Sequence, residues 1–147
     1  MYINTKRFTL LPCTIELVKQ RNEYKAGDHI HMYLQQLQHD ASLLGWGAWY
    51  VLEQNTNEII GDIGFKGKPN EGEVEVGYGM IPSVRGKGYA SEAVAALLQW
   101  AFGTGEVQIV LAECLKTNGP SIRVLEKLGF IKTYEGSEML YWKKYRL

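Results

Sequence analysis

The stretch from Glu73 to Glu113 leaves the chain few arrangements. Glu73–Ile81 alternates strictly, with Val74, Val76, Tyr78 and Met80 on one side and Glu73, Glu75, Gly77 and Gly79 on the other, as a strand with one packed face does. Pro82–Phe102 begins with turn residues and glycines and becomes a helix. Its Ala90, Ala93, Val94, Leu97, Leu98 and Ala101 fall at i, i+3, i+4, i+7, i+8 and i+11, a single apolar stripe kept small at its N-terminal end. Val107–Glu113 is then a nearly unbroken apolar run, which predicts a strand covered on both faces and parallel to its predecessor. Strand, helix and parallel strand make a right-handed crossover, with the helix lying close across the sheet.

On the N-terminal side lie a short strand, Arg7–Leu11, a helix capped by Thr14 and running to about Lys25, and a second helix from about Asp28 to His39. Trp46–Glu53 and Glu58–Lys66 are rich in aromatic and β-branched residues and are separated by Asn55-Thr56-Asn57, which predicts an antiparallel hairpin. After the crossover come an amphipathic helix, Asn118–Leu128, with Asn118 as cap, Pro120 in the first turn and Gly129 just past its end, and two closing strands, Phe130–Tyr134 and Met139–Tyr145. The order β-α-α-β-β-β-α-β-α-β-β describes an α/β domain over residues 1–147, with no repeat or linker to divide it.

A chain of 147 residues buries about two thirds of its unfolded surface and needs no disulfide or metal to hold a core. Sixteen basic and sixteen acidic side chains cancel, so phosphate neutralisation on nucleic acid is not its business. Met1–Leu11 has no apolar run of signal-peptide length and no window approaches a membrane span, so a soluble, cytoplasmic protein without membrane partners is expected, as monomer or homodimer. Cys13 and Cys114 stand about a hundred positions apart without CxxC spacing and are expected to be buried thiols.

Chemistry concentrates in Arg85-Gly86-Lys87-Gly88-Tyr89-Ala90, between a strand end and a helix start. Backbone N–H groups there lack intrahelical partners and the helix dipole favours an anion. Gly86 and Gly88 permit positive φ and close backbone approach, and Arg85 and Lys87 add charge. Two phosphate loops fail: a P-loop needs Ser or Thr after Lys87, where Gly88 stands, and a dinucleotide fingerprint needs a third glycine where Ser91 stands.

Arg85-x-x-Gly88-x-Ala90, after Val74-Glu75-Val76-Gly77-Tyr78, resembles the acyl-CoA pyrophosphate motif, Gln/Arg-x-x-Gly-x-Gly/Ala, of the GNAT N-acetyltransferases. Asn118-x-x-Ser121-x-x-Val124-Leu125-x-x-Leu128-Gly129-Phe130 is similar to that family's next motif, and Glu58-Ile59-Ile60-Gly61 also fits. The resemblance is strongest to the branch of ribosomal-protein Nα-acetyltransferases and their small-molecule relatives. It implies a mixed, mostly antiparallel sheet whose one parallel pair splays to admit CoA. It further implies an acetyl-CoA-dependent transfer to a primary amine, on a small molecule or a peptide N-terminus, in a ternary complex without a metal. Met80 and Ile81 would pair with the pantetheine arm. Arg85, Gly86, Lys87, Gly88, Tyr89 and Ala90 would hold the pyrophosphate, and Asn118 with Ser121 would touch the arm near the thiol. An acyl-CoA-binding module of the same fold without turnover is the alternative.

An amine of pKa about 10.4 is protonated at neutral pH, so a base is needed. Glu75 is the first candidate and Glu113 the second. Many relatives carry a tyrosine acid where Leu125 stands, which leaves Ser121 or solvent to assist the departing thiol. His29 and His31 diverge on a helix and belong to a substrate rim rather than a metal site, and Trp46, Trp49 and Tyr50 are read as core.

Overall fold

A computed structural model describes residues 1–147. Its eight strands form one sheet in the order β1-β2-β3-β4-β5-β6-β8-β7. The strands are β1 (Ile3–Asn4), β2 (Phe8–Pro12), β3 (Ala48–Glu53), β4 (Ile59–Phe65), β5 (Glu73–Met80), β6 (Ile109–Leu115), β7 (Ile131–Glu135) and β8 (Met139–Tyr145). The helices are α1 (Ile15–Gln20), α2 (Asp28–His39), α3 (Tyr89–Gly103) and α4 (Gly119–Lys127). Every pair of neighbouring strands is antiparallel except β5 and β6, the pair on either side of the crossover helix α3.

Local chemistry sets most boundaries. The Thr14 hydroxyl accepts the Leu17 N–H at 3.1 Å and opens α1, but the helix stops at Gln20 rather than near Lys25. Arg21, Asn22 and Glu23 offer no apolar side chain to continue the stripe, and the chain turns there to bring Tyr24 under the sheet. The hairpin turn after β3 places Asn57 at φ 59, a left-handed conformation asparagine tolerates. Asn118 caps α4 through the Ser121 N–H at 3.2 Å, and Gly129 follows the helix at φ 86. The two-residue β1, absent from the sequence reading, pairs Ile3 with Leu10 at the sheet's edge.

The larger core packs the sheet against α3 and α4 and includes Trp49, Val51, Val94, Leu97, Val110, Leu125 and Trp142. A smaller one under α1 and α2 joins Cys13, Ile30 and Tyr33 to Ala48, Tyr50 and Leu52 of β3. β3 is therefore buried on both faces, and Trp46, Trp49 and Tyr50 are core residues. Cys13 and Cys114 are free and buried.

β6 departs from the expectation of a doubly covered strand starting at Val107. Val110, Ala112 and Cys114 are buried, whereas Glu113 and Leu115 are exposed. The core under α1 and α2 contains no residue of β6, so one face of that strand stays open. No helix is long and apolar enough to cross a membrane.

Candidate active site

The parallel pair is short. Glu73 faces Ile109, Val74 faces Val110 and Glu75 faces Leu111. Beyond that point β5 runs on to Met80 and β6 to Leu115 with no pairing between them, so the sheet opens into a wedge. The bonds Lys66 N–H to the Glu75 carbonyl and Ile81 N–H to the Ile60 carbonyl turn the backbone groups of odd-numbered residues toward β4. By the alternation of an antiparallel ladder, Tyr78 and Met80 turn theirs into the wedge. The Met80 carbonyl accepts the Arg85 Nε–H at 3.1 Å.

A cavity of about 540 Å³ lies at this wedge, between the end of β5, the loop after it and α4. Gly86 (φ +80) and Gly88 (φ +77) shape that loop, and Gly88 is the N-cap of the fifteen-residue α3. A Cβ on Gly86 would meet nothing within 4 Å, while one on Gly88 would come within 3.9 Å of Lys127 Nζ, so the loop backbone lies bare toward the cavity. Arg85, Arg123 and Lys127 line the cavity, and none of them is ion-paired within the chain. Three cations, bare glycine backbone and the N-terminus of a long helix suit a polyphosphate.

A second cavity of about 660 Å³ opens on the other side of β5, beneath α2. Its lining is largely apolar, with Met32, Tyr33, Trp46 and Phe65, and also includes the polar Gln36 and Lys66. Its floor is glycine: Gly64 pairs with Gly77 across β4 and β5, and Asp62 pairs with Gly79. Gly64 cannot gain a side chain, because a Cβ would sit 2.1 Å from the Gly47 carbonyl oxygen. Asp62 accepts the Tyr24 hydroxyl at 2.6 Å and lies 2.7 Å from His29 Nε2. Burial, and then the hydrogen bond to Asp62, push the Tyr24 phenol far above its ordinary range, so it stays a proton donor in that bond. The two cavities share Tyr78, Gly79 and Met80 and meet at the wedge.

Residues 13–131 match the family model described as Acetyltransferase (GNAT) domain. The chain belongs to the GNAT acetyltransferase family. Among curated relatives of this GNAT chain are the uncharacterized N-acetyltransferase YjdG of Bacillus subtilis, 37% identical over 67% of this chain and 59% of its own length, and the uncharacterized N-acetyltransferase p20 of Bacillus licheniformis, 35% identical over 66% and 56%. The match thus spans little more than half the length of either relative. A solved ribosomal-protein-S5-alanine acetyltransferase from Vibrio fischeri superposes with TM-score 0.77 at 19% identity, covering 99% of this chain and 96% of that one. The RimL ribosomal L7/L12 alpha-N-protein acetyltransferase, solved in complex with coenzyme A, superposes with TM-score 0.78 at 15% identity, covering 99% and 98%. These two likenesses show that the fold is shared.

Within the GNAT frame, Met80, Arg85, Gly86, Gly88, Tyr89, Ala90, Asn118 and Ser121 all line the wedge cavity. Lys87 is exposed and does not line it. Ile81 lies on the other cavity, and its backbone is already engaged, the N–H by Ile60 and the carbonyl by the Val84 N–H, so it has no free group with which to pair an arm. Glu75 pairs with Lys66 at 2.6 Å, lines neither cavity, and stands four residues before Gly79, about 13 Å along an extended strand. Glu113 is exposed on β6, on the far side of the wedge, and lines neither cavity. Leu125 is 1% exposed and belongs to the larger core. Residues the sequence reading missed are Tyr78, Arg123 and Lys127 at the wedge, and Tyr24 and Asp62 in the second cavity. The i, i+4 spacing of Arg123 and Lys127 on one face of α4 was a readable signal; nothing local marked Asp62. His29 reaches the cavity while His31, two residues on, is exposed and does not line it.

Proposed function

We propose that this chain transfers the acetyl group of acetyl-CoA directly to a primary amine, with both substrates bound at once. The observation that carries the reading is the meeting of a cation-lined cavity and an apolar one at Tyr78–Met80, where β5 leaves β6. Acetyl-CoA supplies the activated thioester. The glycine loop and Arg85 hold the diphosphate at the start of α3, with Arg123 and Lys127 adding charge from α4. Asn118 and Ser121 flank the thiol end of the arm.

The Met80 N–H, turned into the wedge, is the donor for the oxyanion that forms during transfer. Tyr78 lies on the shared wall, its hydroxyl 3.5 Å from the Ser121 carbonyl oxygen. Burial raises its pKa, so it is protonated at neutral pH and is placed to hand a proton to the departing sulfur, in the role the buried Leu125 cannot fill.

The test is release of free thiol from acetyl-CoA by the purified protein in the presence of amines, read beside calorimetric binding of CoA. Amine-dependent release with acetylated amine found by mass spectrometry is expected. CoA binding without release for any amine marks a non-catalytic acyl-CoA module, and absence of CoA binding removes both readings.

A further inference from the structure

We propose that Asp62 draws the acceptor's ammonium group into the larger cavity and takes a proton from its nitrogen as the amide forms, and that the acceptor is a monoamine with an apolar body. The inference rests on the acetyl-transfer reading and names the substrate class of that site. Asp62 is the one acidic residue lining the cavity. It faces Gly79, a residue shared by both cavities, and a Cβ built on Gly79 meets nothing within 4 Å, so the space beside the carboxylate opens toward the wedge. Its side chain is 16% exposed, and each oxygen keeps a lone pair beyond its bond to His29 or Tyr24. The titratable groups around it are Tyr24, Tyr50, Cys13 and His29. Tyr24 and Cys13 have their pKa values raised by burial first and by Asp62 second, and in Tyr50 burial and Cys13 precede it. All three therefore stay neutral at physiological pH.

The remainder of the cavity limits the acceptor. Met32, Tyr33, Leu43, Trp46 and Phe65 favour an apolar body over a second charge. Lys66, about 13 Å along β4 from Asp62, is already paired with Glu75, so no free carboxylate awaits a second ammonium.

In the step itself, the bound ammonium first loses one proton to solvent. The neutral nitrogen attacks the thioester carbonyl carbon, and as the C–N bond forms its two remaining N–H groups become acidic; Asp62 accepts one of these protons and the other stays in the amide. The C–S bond breaks with its electron pair on sulfur, which takes the Tyr78 proton; solvent restores Tyr78 and removes the proton from Asp62. Ammonium and acetyl-CoA give amide, CoA thiol and one proton.

The experiment compares wild type, Asp62→Asn and Glu75→Gln with 2-phenylethylamine and spermidine, by thiol release from pH 6 to 10. Expected are a wild-type kcat/KM at least tenfold higher for 2-phenylethylamine, and a loss of about a hundredfold at pH 7 in Asp62→Asn with CoA affinity within twofold of wild type. That loss should shrink at pH 10, where much of the amine is already neutral and no longer depends on a carboxylate to draw it in, a change a purely structural defect would not produce. The assignment is overturned by an Asp62→Asn loss below tenfold, by a larger loss in Glu75→Gln, by a deficit that ignores pH, or by preference for spermidine. Silence of the wild type toward both amines, with acetyl-CoA bound, overturns transfer to monoamines and this assignment with it.

Discussion

Gly88 occupies φ +77 where the loop turns into α3, and both its conformation and its missing Cβ matter there. A β-branched side chain resists that φ, and its Cβ would lie 3.9 Å from Lys127 Nζ, in the path of any ligand crossing the loop. Gly88→Val is expected to weaken CoA binding at least tenfold, about 1.4 kcal/mol, by calorimetry; unchanged affinity in a folded protein would remove the loop from the site. Ser121 and Leu125 carry a second expectation. Ser121 lines the cavity beside Tyr78, so Ser121→Ala should lower kcat by only about tenfold, because a thiol of pKa about 8.5 leaves tolerably without help. Tyr78→Phe should cost more, and the reverse ranking would transfer the donor role to the serine. Leu125→Tyr should not supply an acid at all: the position is sealed in the core, and the larger ring should cost about 1–3 kcal/mol of stability in a denaturant titration.

At the scale of elements, the start of α3 is held by more than its own turn. Glu92 accepts the Thr5 hydroxyl at 2.6 Å, the Arg7 N–H at 2.9 Å and the Arg7 Nε–H at 2.7 Å, which ties the β1–β2 connection to the first turn of the helix. The Arg7 guanidinium lies 4.5 Å from the Tyr89 ring centroid. Burial opposes charge on Glu92, but these bonds outweigh it and hold its pKa below the ordinary carboxylate value. A depressed folded pKa means that the contribution is complete above the unfolded value, about 4.3, and is lost as pH falls through the folded one. Glu92→Gln should therefore lower Tm at pH 7 and draw level with wild type in strong acid, measured by thermal melts across pH. A Tm gap that persisted unchanged below about pH 3 would assign the effect to shape rather than charge.

At the scale of the whole molecule, the wedge leaves β5 and β6 joined by a three-residue ladder, and a ligand seated between them bridges the two halves of the sheet. CoA at a hundred times its Kd should stabilise the fold by about 2.7 kcal/mol, a rise in Tm of about 5–10 °C, and a melt unmoved by CoA would contradict the bridging. Much of this architecture was legible beforehand because it rests on neighbours in sequence. The alternation of Val74, Val76, Tyr78 and Met80, the stripe from Ala90 to Ala101, and the caps Thr14 and Asn118 are local patterns that backbone geometry and side-chain sterics enforce. Arg85, Gly86 and Gly88 were legible for the same reason, since a loop between strand and helix exposes its own N–H groups. The early end of α1, the open face of β6 and the pairing of Glu75 with Lys66 were not, because each depends on what another element covers. So the sequence by itself determined most of the elements, the crossover and the glycine loop between β5 and α3. Only the tertiary structure decided which carboxylate lines the larger cavity: Asp62 is placed by strand register opposite Gly79 and held by Tyr24 and His29, partners more than thirty residues away in the chain.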